Sequence, residues 1–159
     1  MKSFLFNFFL MIHMTHVRDI MIRNVITIDH NKTAKDVALL MAEKQVSSLV
    51  VIKDDNPIGL VTERDLTRKV LTADRKSADV QLSEIMSLKF RWVEPMTSIE
   101  DAIQKMSNNN IRRLLVLENN NLVGIITETD LAKHLRSKLL IDGALEDVTA
   151  LKRKVVKSS

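Results

Sequence analysis

A chain of 159 residues, 45% apolar and 28% charged, has room for one ordinary domain or two small ones around a real core. It contains no cysteine, which excludes disulfides, CxxC redox chemistry and cysteine-based zinc sites. The net charge of +4 invites a nucleic-acid reading, but residues 17–137 hold 18 basic and 17 acidic side chains, so most of the excess lies in Lys2 and the C-terminal tail.

The chain opens with MKSFLFNFFLMIHM, whose apolar run from Phe4 to Ile12 is broken by Asn7. A membrane span needs about 20 such residues, and no small-residue cleavage site follows, so neither a transmembrane segment nor a signal peptide is expected. A docking helix, a weak membrane contact, or an upstream extension before a start at Met11 or Met14 remain, with the first and last preferred. His13 and His16 read as solvated side chains and not as metal ligands.

From residue 17 the chain is written twice. Residues 17–71 slide onto 82–136 at an offset of 65 without a gap and with twelve identities. In the first copy NVITI (24–28) predicts a short strand, followed by a helix starting at Thr33 with Asp36 three residues on as a capping partner. Apolar residues at Ala34, Val37, Ala38 and Met41 give that helix one buried stripe. SLVVIK (48–53) is a near-continuous apolar strand expected to be covered on both faces, and a turn at DDNP leads into IGLVT. A last helix places Leu66 and Val70 on one side.

The segment 73–81 is polar and reads as a linker. The second copy then repeats the order: FRWV (90–93), a helix from Ser98 with Asp101, LLVLE (114–118), the turn NNN, LVGIIT, and a helix with Leu131 and Leu135. The expected divisions are an N-terminal extension 1–16, a first unit 17–73, a linker 74–81, a second unit 82–137, and a C-terminal helix with a basic tail 138–159. Each unit of about 55 residues buries little surface alone, so the two are expected to pack through their sheets.

GLVTERDL (59–66) and GIITETDL (124–131) are the closest match between the copies. Gly59 and Gly124 allow close backbone approach or an unusual φ. Thr62 with Asp65, and Thr127 with Asp130, fit a helix cap. The same hydroxyl and carboxylate also suit the diol of a ribose, with phosphates towards free backbone N–H groups and towards Arg112 and Arg113. Both readings stand on the residues alone. The positions equivalent to the two arginines are Ser47 and Ser48, so two such clefts would differ.

The ordered double set of DIM or EIM, strand, capped helix, apolar strand and G-h-h-T-E-x-D-L resembles the CBS domain family, and the pair resembles a Bateman module, over roughly 17–137. The resemblance implies an α/β (α+β) fold of two β-α-β-β-α repeats, packed sheet to sheet about a pseudo-twofold axis, with up to two clefts between them. It implies an adenosine-containing regulatory ligand: AMP, ADP, ATP, S-adenosylmethionine, NAD or an adenine cyclic dinucleotide. By motif position, ribose contacts fall on Asp65 and Asp130 with Thr62 and Thr127, and the variable position on Arg64 and Thr129. Phosphate contacts fall on Arg112 and Arg113, opposite Ser47 and Ser48 in the other copy. The adenine is expected against Val25–Thr27, Ile58, Phe90–Trp92 and Val123. The chain departs from many relatives in lacking proline in SLVV and LLVL, and copy one lacks a basic residue at the phosphate positions.

The leading expectation is therefore a stand-alone cytoplasmic sensor, with no required cofactor, that binds an adenine nucleotide or S-adenosylmethionine, forms a homodimer and signals to a protein effector. The alternative is a protein-interaction or nucleic-acid-associated scaffold without a small ligand. Trp92 with Arg91 and Lys89, and the tail KRKVVK, are the features that favour nucleic acid, against a near-neutral body. Catalysis is not expected, since no nucleophile–base pair attends the motif and only His134 lies near it.

Overall fold

The computed structural model describes residues 15–141. The hydrophobic N-terminal run, His13 and the tail beyond residue 141 lie outside the described residues. The first repeat begins with a one-turn helix, α1 (Val17–Ile20), and a short strand, β1 (Thr27–Asp29). Helix α2 (Ala34–Lys44) follows. Thr33 caps it reciprocally: its backbone N–H donates to Asp36 Oδ2 at 2.9 Å, and its hydroxyl accepts from Asp36 N–H at 3.3 Å. Strands β2 (Ser48–Lys53) and β3 (Asn56–Thr62) form a hairpin. Helix α3 (Glu63–Leu66) widens into a π-helical turn over Thr67–Leu71.

A 3-10 turn (Ser77–Asp79) connects to the second repeat: α4 (Leu82–Ile85), β4 (Trp92–Val93), α5 (Ile99–Asn109), β5 (Arg113–Glu118), β6 (Asn121–Thr127) and α6 (128–141). Ser98 caps α5 by accepting from Asp101 N–H at 3.0 Å. Helices α2 and α5 both end on a left-handed residue, Gln45 (φ 54°) and Asn110 (φ 51°), which are equivalent at the offset of 65.

Each repeat contributes a three-stranded sheet in the order 1-2-3 or 4-5-6, with the first pair parallel and the hairpin antiparallel. Asp54–Asp55 and Asn119–Asn120, all with φ between 49° and 66°, are the two-residue turns of the hairpins, of the primed type that matches strand twist. The sheets face one another across Val50, Leu60 and Leu115, with Val25, Phe90 and Ile125 packed around them. On its other face each sheet carries helices: Leu49 and Val51 join Val37 and Met41 in one core, and Leu114 and Val116 join Ala102 and Met106 in the other. The central strands are thus covered on both faces, as their apolar runs required.

The opening helices are exchanged. Val17 and Met21 of α1 belong to the core of the second repeat, and Leu82 and Ile85 of α4 to that of the first. Ile22 pairs with Ile125, and Ser87 with Leu60, through reciprocal backbone bonds of 2.7–3.0 Å. This crossing shortens the two strands expected at 24–28 and 90–93 to 27–29 and 92–93, because the preceding residues are occupied in passing between the sheets. The segment read as a linker is also docked: Val80 is buried, and its carbonyl accepts from Ala34 N–H at 2.9 Å.

Neither glycine of the repeated motif has positive φ, so the conformational reading of Gly59 and Gly124 is replaced by the steric one. A Cβ on Gly59 would lie 2.9 Å from the Ser87 carbonyl oxygen, and one on Gly124 would lie 2.6 Å from Met21 Sδ. The exchanged segments cross the sheets at these two positions.

Candidate functional site

Strand β3 ends at Thr62 and hands over to α3 by a reciprocal cap. Thr62 N–H and Oγ donate to Asp65 Oδ2 at 3.0 and 2.6 Å, and Asp65 N–H donates back to Thr62 Oγ at 3.3 Å. The second motif repeats these distances between Thr127 and Asp130. The capping reading is therefore satisfied in both copies. It does not exhaust Asp65, which also lines a cleft of about 610 Å³, a size suited to a small ligand.

The crossing of the chain builds this cleft. Ser47, Leu60, Thr62, Glu63, Arg64 and Asp65 come from the first repeat, and Ser87, Lys89, Phe90, Arg91 and residues 110–113 from the second. Arg112 and Arg113 stand at the start of β5, and the packing of the two sheets brings them into one cleft with the first copy's Thr62 and Asp65. The sequence placed these arginines in the second copy without indicating which motif they would meet. Arg113 Nη1 is buried with no hydrogen-bond partner. Burial, and after it the neighbouring Arg112, push the Arg113 pKa down, while Asp65 and Glu63 act in the opposite direction.

One contact ties the cleft to the exchanged helix. Lys69 Nζ lies 3.2 Å from Asp65 Oδ1 and donates to the carbonyl of Ile85 at the end of α4. The residue equivalent to Lys69 is His134, whose buried Nε2 has no partner. Burial lowers the His134 pKa, Lys138 lowers it further, and Asp19 opposes both.

Of the expected contact residues, Thr62, Asp65, Arg64, Arg112, Arg113 and Ser47 meet in this cleft. Ser48, Thr27, Thr127, Thr129, Asp130 and Trp92 do not line it. Trp92 is turned outward, with Lys105 Nζ 5.6 Å from its ring centroid and donating to its carbonyl at 2.7 Å. The residues expected to form the adenine surface are divided between different places. Phe90 and Arg91 line the cleft, whereas Ile58 and Val123 pack into the helix-covered cores and Val25 lies between the sheets.

Lys89 and Arg91, which the sequence offered as a nucleic-acid cluster, belong to this cleft, and Glu63, Asn110 and Ile111 were missed. Lys89 and Arg91 could be placed only by knowing that the chain passes from the first sheet at Ser87 to the second at β4, and the other three only by knowing how the two repeats pack. Among the described residues there is no group of three His, Asp or Glu able to hold a metal, and no helix long and apolar enough to cross a membrane.

Comparison with known proteins matches the CBS domain model twice, at residues 17–72 and 82–137. The CBS domain-containing protein YhcV of Bacillus subtilis is 34% identical over 136 residues, covering 86% of this chain and 96% of that protein. A protein with CBS domains from Burkholderia ambifaria superposes with a TM-score of 0.67 at 38% identity, over 71% of this chain and 83% of that one. The CBS domain pair of MJ0100, solved with 5′-methylthioadenosine and S-adenosylmethionine, shares the fold with a TM-score of 0.71 at 23% identity, over 78% and 98% of the two chains.

Proposed function

The chain belongs to the CBS domain family as a tandem pair, and from that premise we propose that it binds an adenosine-containing ligand in the cleft at Asp65 and signals its occupancy to a protein partner. A tandem pair of this kind is a regulatory, signal-transduction module. The observation that carries the ligand reading is the meeting of Asp65 and Arg113 in one cleft from opposite repeats. A carboxylate suits the two hydroxyls of a ribose, guanidinium groups suit phosphate, and Phe90, Leu60 and Ile111 offer apolar surface for a base. That a domain pair of the same fold has been solved with adenosine derivatives is consistent with this reading.

The site reads as a binding site without chemistry. No histidine lines the cleft, and its two carboxylates, Glu63 and Asp65, start a helix. A sensor of this kind acts by favouring one of two arrangements of an interface, so a homodimer and a protein effector belong to the same reading.

A thermal-shift series with AMP, ADP, ATP, S-adenosylmethionine, NAD and cyclic di-AMP, on the native chain and on Asp65→Asn, tests it. A ligand at one hundred times its dissociation constant adds about 2.7 kcal/mol, roughly 5–10 °C for a chain of this size. The expected result is a shift with one ligand that Asp65→Asn loses, whatever the variant's own melting point. No shift with any of the six would return Thr62 and Asp65 to capping alone and favour the protein-interaction scaffold.

A further inference from the structure

We infer that the ligand of this cleft carries at least two phosphate groups and that it binds in one copy per chain. The inference rests on the reading of the cleft as an adenosine site. Five cations line the cleft, Arg64, Lys89, Arg91, Arg112 and Arg113, against two carboxylates, Glu63 and Asp65. None of the five forms an ion pair with another described residue. Arg91 has only neutral partners, Asn109 Oδ1 at 3.0 Å and the Phe90 carbonyl at 3.3 Å. Nη1 of Arg113 has none and is buried.

The internal repeat supplies its own control. At the positions 65 residues away every one of these cations is neutral: Thr129, Asn24, Ile26, Ser47 and Ser48. The two acids are kept, as Glu128 and Asp130. The excess charge is therefore not a requirement of the duplicated fold, which builds the same strand end and the same cap without it. By the same offset the counterpart of Ser47 is Arg112, so the equivalent groove holds one cation against Glu128 and Asp130, where this cleft holds five against Glu63 and Asp65.

Five positive groups around a partly buried cleft repel one another, and an anion relieves that repulsion in proportion to its charge. A single phosphate ester brings about two negative charges, short of the excess of three, so balance takes a second phosphate in a chain with a free end, as in ADP or ATP; two diester phosphates with one charge each bring no more than AMP. Guanidinium forks bind phosphate oxygens through paired charge-assisted hydrogen bonds, and more than one guanidinium here calls for more than one set of oxygens.

Isothermal titration of the full chain with adenosine, AMP, ADP, ATP and inorganic tripolyphosphate tests this, using the native protein, Arg113→Gln and, should that variant fold poorly, Lys89→Gln on the exposed rim. The expected result is one site per chain, with ADP or ATP bound about tenfold or more tighter than AMP, the worth of one further charge-assisted contact. Either variant should shrink that ratio. AMP binding as tightly as ADP and ATP, or a ratio unchanged in the variants, overturns the inference while leaving the adenosine reading intact. Two equal sites per chain overturn its second part. Tripolyphosphate binding as tightly as ATP, with adenosine and AMP inert, overturns the adenosine reading and keeps the polyanion site.

Discussion

Gly59 shows how little room the crossing leaves. The Ser87 carbonyl that would sit 2.9 Å from an added Cβ is fixed from the other side, since it accepts from Leu60 N–H at 3.0 Å and Ser87 N–H returns a bond of 2.7 Å. Neither partner can give way without loss of the bridge, so Gly59→Ala should cost about 1–3 kcal/mol, as overpacking does, read as a lower urea midpoint at unchanged slope. At Gly124 the nearest atom is the end of the Met21 side chain, which can rotate, so Gly124→Ala should cost less; the reverse order would show that the carbonyl contact is not what excludes a side chain. Ser87 also lines the cleft, and a strained Gly59→Ala variant should bind the proposed ligand more weakly. The sequence announced both glycines by repetition and left close approach and unusual φ as alternatives, of which the structure shows the first. A glycine needed for left-handed backbone and one needed for clearance are spelled identically, and only the neighbour 28 residues away in the chain tells them apart.

The hairpin turns and the caps are the elements whose chemistry could be read most directly. Asp54–Asp55 and Asn119–Asn120 adopt left-handed φ at all four positions, a conformation Asp and Asn tolerate but glycine prefers. Asp55 (φ 62°) is exposed, and Asp55→Gly is expected to stabilise the fold by about 1 kcal/mol of relieved backbone strain less the entropy glycine adds to the unfolded chain, read as a higher melting temperature. A drop in stability instead would mean that the aspartate makes up its strain through contacts of its own.

The four two-residue caps, the apolar strands and the helix stripes follow periodicities contained within a dozen residues, which is why a single sequence displayed them. The short first strands were overextended because β-branched composition marks a strand without marking where its partner begins. The cleft was legible in its parts, Thr62, Asp65 and Arg113, but not in its assembly. Which motif an arginine meets depends on contacts between repeats that no local pattern records.

At the level of the whole molecule the exchanged helices decide how it unfolds. Each hydrophobic core is completed by a helix that precedes the other repeat's first strand, Val17 and Met21 on one side and Leu82 and Ile85 on the other. The two cores are therefore expected to melt in a single transition, with coincident far- and near-ultraviolet circular dichroism. A chain divided after residue 75 should yield two halves that are each unfolded alone and that regain the native spectrum when mixed, because each carries the helix the other lacks. Independent folding of either half would sink the idea. Lys69, which bonds the Ile85 carbonyl and sits beside Asp65, ties the cleft to one of these helices.

That reciprocity also bears on ancestry. A lone repeat of this design lacks the helix that closes its core, so a half-length chain of this kind would be complete only as two copies trading their first helices. Fusion of two such genes converts the swap into an internal one and fixes the stoichiometry. It also frees the two formerly identical grooves to diverge. The five cations set against five neutral counterparts are what such a release would leave behind.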